Sequence, residues 1–241
     1  MSARTAAGAL LLSAGVVLAT LSLPTIVDQE RAVAAYEELS DESAPATESG
    51  GVDWDGLLAT NPSLAAWCRV EGTSIDLPVC QATDDAPTHW LTHDFWGEDS
   101  PAGTPYVDHR TSPTFQHILC YGHHLTGVGG MFSDVYRCHE QDEFDRWLTG
   151  SLVWSTPDGT VTHLRPLCAS SQDMDHADIQ RFEFDGTAGF RSWLHTILAQ
   201  ASATAPDADS LAGAASRAIT LVTCSSDLSG QRERTLVTFV I

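Results

Sequence analysis

Residues 218–224 read Ala218-Ile219-Thr220-Leu221-Val222-Thr223-Cys224, and the fold of this stretch governs the reading of what surrounds it. Its β-branched and apolar residues make a strand. The strand ends on a cysteine, and the polar run Ser225-Ser226-Asp227 follows. A thiol at a strand end is rigidly held yet still reaches the surface. Near neutral pH it is mostly protonated, so nucleophilic use needs a nearby base or cation. The plainer reading, a structural cysteine, suits the five others, Cys68, Cys80, Cys120, Cys138 and Cys168. Cys120 and Cys168 lie in apolar, strand-like runs, where a buried thiol acts as a small hydrophobe.

Two further segments carry chemistry. Thr235–Ile241 reads as a last strand, opened by Gln231-Arg232-Glu233-Arg234. A guanidinium keeps its charge and offers several N–H donors, so Arg234 could hold an oxyanion; Arg232 reads as a solvated strand-end charge. His117–Tyr121 reads as a strand that runs into Gly122-His123-His124. Gly122 permits a sharp turn, which leaves His123 partly solvated with a pKa suited to moving protons. A surface or packing role is the ordinary alternative for most of the ten histidines.

The rest of the domain reads as strands with short helices. Strands are expected at Trp67–Val70 and Ile75–Cys80, joined by the turn Glu71–Ser74, and at Thr104–Asp108. Leu152–Ser155 and Thr160–Leu164 flank the turn Pro157-Asp158-Gly159, and Pro166–Ser170 continues as a strand. Asn61-Pro62-Ser63 is read as starting a short helix, and Gln141–Leu148 as another. In Thr187–Gln200, Phe190, Trp193, Leu194, Ile197 and Leu198 share one helical face. Many strands and few helices suggest a closed or nearly closed barrel.

Thr5–Val27 carries no charge. As a helix it would be about 34 Å long, enough to cross a hydrocarbon core. The expected organisation is a membrane anchor at 1–27, an acidic solvated linker at 28–52, partly helical near Glu30–Glu38, and one catalytic domain at 53–241. A cleaved signal peptide with Ala32-Val33-Ala34 at its site is the alternative. In both cases the domain is exported. The formal net charge of −20 opposes nucleic-acid binding and docking on anionic lipid through basic patches.

Taken together, these segments resemble the class B sortases, a family of cysteine transpeptidases. Thr220-Leu221-Val222-Thr223-Cys224 resembles the family's nucleophile strand, Tyr121-Gly122-His123 its histidine motif and Met131-Phe132-Ser133-Asp134 the segment after it. Arg234 stands where the family carries its arginine. Asn61-Pro62 through Trp67, then Gly72-Thr73-Ser74-Ile75-Asp76-Leu77-Pro78-Val79, resembles its entry motif, and Ala102-Gly103-Thr104 also fits. The helix at Thr187–Gln200 falls in the connection before the nucleophile strand, as in class B. His124 departs from the family, which usually has Asn there, and the five extra cysteines are unusual.

The resemblance implies a mainly β, sortase-type closed barrel of about eight strands with a few short helices, behind an N-terminal transmembrane helix. It implies catalysis by Cys224, His123 and Arg234, substrate contacts from Thr223, Ser225 and His124, and no cofactor or metal. The partners would be secreted proteins bearing a C-terminal sorting signal, and an amine from a cell-wall precursor or pilin. The catalytic domain would be extracellular on a single-pass membrane protein. Three other readings stand beside it. A papain-like peptidase places Cys early and His late, the reverse of the order here. A metal hydrolase would draw on His89 with His93, or His123 with His124, but no HExxH is present. A non-enzymatic cell-surface module would keep its partner after Cys224→Ala.

The uncharged N-terminal segment predicts that the native protein sediments with membranes and keeps its N-terminus. Mass spectrometry of the purified native chain checks this, and a soluble form starting near Ala35 would mean a cleaved signal peptide instead.

Overall fold

Short β-branched runs with one buried face leave open edges unless the sheet closes on itself. Closure is what the computed structural model shows; it describes residues 25–43, 51–176, 178–225 and 231–241. In chain order the elements begin with helices α1 (25–43) and α2 (Trp54–Thr60). Strands β1 (Leu64–Val70), β2 (Asp76–Gln81), β3 (Tyr106–Val107) and β4 (His117–Tyr121) follow, then α3 (Gln141–Phe144), β5 (Leu152–Ser155) and β6 (Val161–Asp173). The last third contains α4 (Gly186–Ala199), β7 (Ala203–Thr204), α5 (Ala208–Ala214), β8 (Ala218–Cys224) and β9 (Glu233–Val240).

The strand order is β5-β1-β2-β3-β4-β8-β9-β6-β7, and β5 also pairs with β6. That extra pairing closes eight strands into a barrel and leaves β7 as a short outer addition to β6. Only β2–β3 and β4–β8 are parallel. Parallel neighbours cannot be joined by a tight hairpin, so the long connections of this chain lie between them.

Register separates the two faces. On β8 and β9, Ile219, Leu221, Val237 and Phe239 are fully buried in the barrel. The opposite face of the same strands is covered in part by α4. Phe190, Trp193, Leu194 and Ile197 of α4 are buried, as their spacing predicts. The Trp193 ring lies 4.4 Å from the ring of His117 on β4, and its indole N–H donates to Asp178 O at 2.7 Å. His117 is itself fully buried, with Nδ1 2.8 Å from Arg181 O and Nε2 3.2 Å from Thr220 Oγ1. It is a packing histidine whose polar atoms are all partnered.

Three expectations need correction or limits. The segment expected to be a solvated acidic spacer, partly helical near Glu30–Glu38, is helical throughout 25–43 and packs on the domain, with Tyr36 and Ser40 buried. Val33, Tyr36 and Ser40 recur at helical spacing, and the acidic residues between them occupy the outer face, so composition masked an amphipathic pattern. Asn61 ends α2 rather than starting a helix: its N–H donates to Leu57 O, and its side chain accepts from Ser63 N. The strand expected at 160–164 and its continuation at 166–170 form the 13-residue strand β6, whose register shifts between Pro166 and Cys168. A bulge is how a strand accommodates a residue without an N–H. Lastly, no helix among the described residues is long and apolar enough to cross a membrane. Of the expected anchor at 1–27, residues 1–24 lie outside the described residues.

Burial lowers the His117 pKa to about 4 from its ordinary 6.5. Between those values the unfolded chain holds the extra proton, so stability should rise with pH across that window, by roughly 3 kcal/mol in all. Below about pH 4 both states are protonated and this contribution is gone. Urea unfolding of the wild type and of His117→Asn at pH 6.5 and 4.5 checks this, and the variant should show the shallower pH dependence.

Candidate active site

All six cysteines are free thiols, and their surroundings divide them sharply. Cys68, Cys80, Cys120, Cys138 and Cys168 are buried, and burial raises the pKa of each. A thiol that cannot ionise is inert as a nucleophile. Cys224 alone is half-exposed. It ends β8 on the face away from the barrel interior, beyond the part that α4 covers, and lines a cleft of about 290 Å³.

The cleft collects the candidates. Cys224 and Arg234 are direct cross-strand partners on β8 and β9, and both line the cleft together with His123. His123 reaches it from the turn after β4, which runs parallel to β8 with Tyr121 opposite Val222. Gly122 N donates to Val222 O at 3.0 Å, and the Thr223 hydroxyl donates to Gly122 O at 2.9 Å. Glycine is required at this turn: a Cβ on residue 122 would lie 2.5 Å from Phe132 Cγ. The imidazole is oriented by Nε2, 2.7 Å from Leu91 O.

The two arginines of the last strand have different surroundings. Arg232 is exposed and bound to Asp173 by two hydrogen bonds of 2.8 and 3.0 Å, and to Asp175. This pairing holds the Asp173 carboxyl below its ordinary pKa. Arg234 is half-buried and forms no ion pair among the described residues; its Nη1 donates to Gln231 O at 2.7 Å and Glu233 O at 2.9 Å. The guanidinium has five donors; these bonds engage Nη1 and leave the donors of Nε and Nη2 for a ligand.

The expected substrate contacts fare unevenly. Thr223 lines the cleft, but it is 1% exposed and its hydroxyl is committed to Gly122 O, which makes it a tie between strand and turn. Ser225 and His124 are outside the cleft lining. The Ser225 hydroxyl bonds to Ser171 and Thr235, and the His124 ring stacks on Tyr136 with centroids 4.1 Å apart. His124 follows a turn that points its neighbour into the cleft, and consecutive extended residues point opposite ways. His89 and His93 stack on each other at 3.9 Å, and no cluster of three or more metal-ligating side chains occurs among the described residues. Sequence reading missed the Leu91 carbonyl, a backbone group no motif marks, and the cleft wall formed by Met174, Ile179 and Gln180.

No family model matches the chain, and no curated protein does. Solved structures do. Sortase B of Clostridium perfringens is similar over 77% of this chain and 97% of its own, with a TM-score of 0.65 and 22% identity. The Staphylococcus aureus sortase B–substrate complex is similar over 86% of this chain and 94% of its own, with a TM-score of 0.66 and 20% identity. For sortase B of B. anthracis the figures are 89% and 97%, with a TM-score of 0.70 and 19% identity. The fold is therefore that of the class B sortases.

Phe132 packed on residue 122 predicts that Gly122→Ala destabilises the domain by about 1–3 kcal/mol through overpacking. Gly213→Ala, in α5 with nothing within 4 Å of the added methyl, should be neutral or stabilising by up to about 1 kcal/mol. Paired urea titrations check both signs.

Proposed function

We propose that the protein is a cysteine transpeptidase of the sortase type, acting outside the cell from an N-terminal membrane anchor. The observation that carries the reading is the meeting of Cys224, His123 and Arg234 in one cleft, from chain segments about a hundred residues apart. The likeness of fold to sortase B structures supports it, among them a complex described as holding substrate.

In this reading the Cys224 thiolate attacks a backbone carbonyl within a sorting signal of a secreted protein. Arg234, opposite Cys224 across β8 and β9, donates hydrogen bonds to the developing oxyanion. His123 protonates the departing amine, which breaks the C–N bond and leaves a thioacyl enzyme. An amine from a cell-wall precursor or a pilin then attacks the thioester, His123 takes its proton, and the thiolate is regenerated. The apolar wall of Leu91, Met174 and Ile179 beside these groups suits the side chains of an extended peptide, and it lowers the local dielectric where charge develops.

The test is incubation of the domain with a panel of LPxTG-like and NPxTN-like peptides, with and without amine acceptors, followed by mass spectrometry. A covalent adduct on Cys224 and an amine-dependent product are expected. Cys224→Ala should abolish the adduct. His123→Ala and Arg234→Ala should each lower turnover by roughly 10²-fold or more, and Arg232→Ala far less, since Arg232 is already engaged with Asp173 and Asp175. Product released only as the free acid, whatever amine is supplied, would mean a peptidase that hydrolyses. No adduct with any peptide would sink the reading.

A further inference from the structure

We propose that α1 is a working part of the catalytic site: Tyr36 positions His123 through Gly103 and Leu91, and so holds the imidazole in the form that carries hydrogen on Nε2 and leaves Nδ1 for proton transfer. The role of His123 in catalysis rests on the acyl-transfer reading above; the positioning itself rests on geometry.

Tyr36 is 2% exposed, and its hydroxyl is the hub of a buried network. Its oxygen accepts from Phe95 N at 2.8 Å. Its hydrogen is shared between Gly103 O and Thr104 Oγ1, each at 2.9 Å, because the Thr104 hydroxyl gives its own hydrogen to His93 O. One phenol thus ties α1 to both ends of the segment 95–104.

That segment abuts the imidazole. Gly103 has φ +62, and a Cβ there would lie 2.5 Å from Trp90 O, 3.0 Å from Leu91 O and 3.1 Å from His123 Cδ2. Gly103 is therefore wedged between the histidine ring and the turn that presents Leu91. Thr104 N donates to Trp90 O at 2.8 Å and fixes the other side of that turn. Leu91 O, so placed, sits 2.7 Å from His123 Nε2. A carbonyl oxygen only accepts, so Nε2 carries the hydrogen. In the neutral ring the lone pair is then on Nδ1, which has no hydrogen-bond partner among the described residues. α1 also meets the loop 124–131 that follows His123 in the chain: the Val33 side chain lies 2.8 Å from the place a Cβ on Gly130 would take. The same helix thus braces both segments that flank His123.

The experiment uses the full chain labelled with 15N-histidine, with the His123 signals assigned by their loss in His123→Gln. Wild type should show the Nε2–H tautomer. Tyr36→Phe and Thr104→Val keep the packing volume but break the hub. Each should yield a mixture of tautomers, lower kcat about tenfold with KM within about twofold, and shift the pH profile of kcat/KM. Thermal melts confirm that the variants are folded at the assay temperature. A wild-type Nδ1–H tautomer overturns the proposal, as does Tyr36→Phe with an unchanged tautomer and unchanged kcat. If no peptide is turned over by wild type, the spectra decide alone: a tautomer that responds to Tyr36→Phe upholds the positioning while the acyl-transfer reading fails.

Discussion

The parallel pairing of β4 with β8 is the constraint on which the rest of the site depends. Five register pairs, from His117 with Ala218 to Tyr121 with Val222, bring the ends of the two strands to the same level. Because the strands run the same way, both C-terminal ends open at one edge of the barrel, and the histidine and the cysteine stand there together. The pairing extends one residue into the turn through Gly122 N to Val222 O, and the Thr223 hydroxyl fastens it again. Slippage by one residue would turn Cys224 into the barrel and Thr223 out. The buried face, with Ile118, Cys120, Leu221 and Ile219 all fully enclosed, is what makes such slippage costly.

Burial also sorts groups of the same chemical type. Six thiols share one sequence, but five are enclosed in the core, where ionisation is suppressed, and the sixth sits at a strand end in a cleft. The same sorting separates His117, packed under Trp193 with both nitrogens engaged, from His123 at the mouth of the cleft. Arg232 spends its donors on Asp173 and Asp175, whereas Arg234 anchors itself to backbone carbonyls and keeps its charge available. In a chain of net charge −20, Arg234 forms no ion pair among the described residues, although its charge helps to hold the nearby Asp173 carboxyl below its ordinary pKa.

Several elements were legible beforehand for stated reasons. The strands at 117–121, 152–155 and 218–224 and the buried face of α4 followed from periodicity and β-branching, because each element buries one side and exposes or covers the other. Cys224, His123 and Arg234 stood out only through their order and spacing within motifs; no single one was distinctive. The readings that failed did so where a tertiary contact outweighs a local preference. Acidic composition spoke for a solvated linker, yet Tyr36 reaches the barrel and satisfies three groups there.

The amino-acid sequence by itself determined the barrel class and the succession of strands, and it singled out the candidate thiol, imidazole and guanidinium, because patterning and motif order are local properties of the chain. Only the tertiary structure decided that Tyr36 holds the Gly103 that abuts the imidazole, that Leu91 O engages one ring nitrogen, and that Ser225 and His124 are outside the cleft lining. Those facts depend on backbone carbonyls and on contacts between segments tens of residues apart. The position of a carbonyl is set by the path of the main chain, which no side-chain type records.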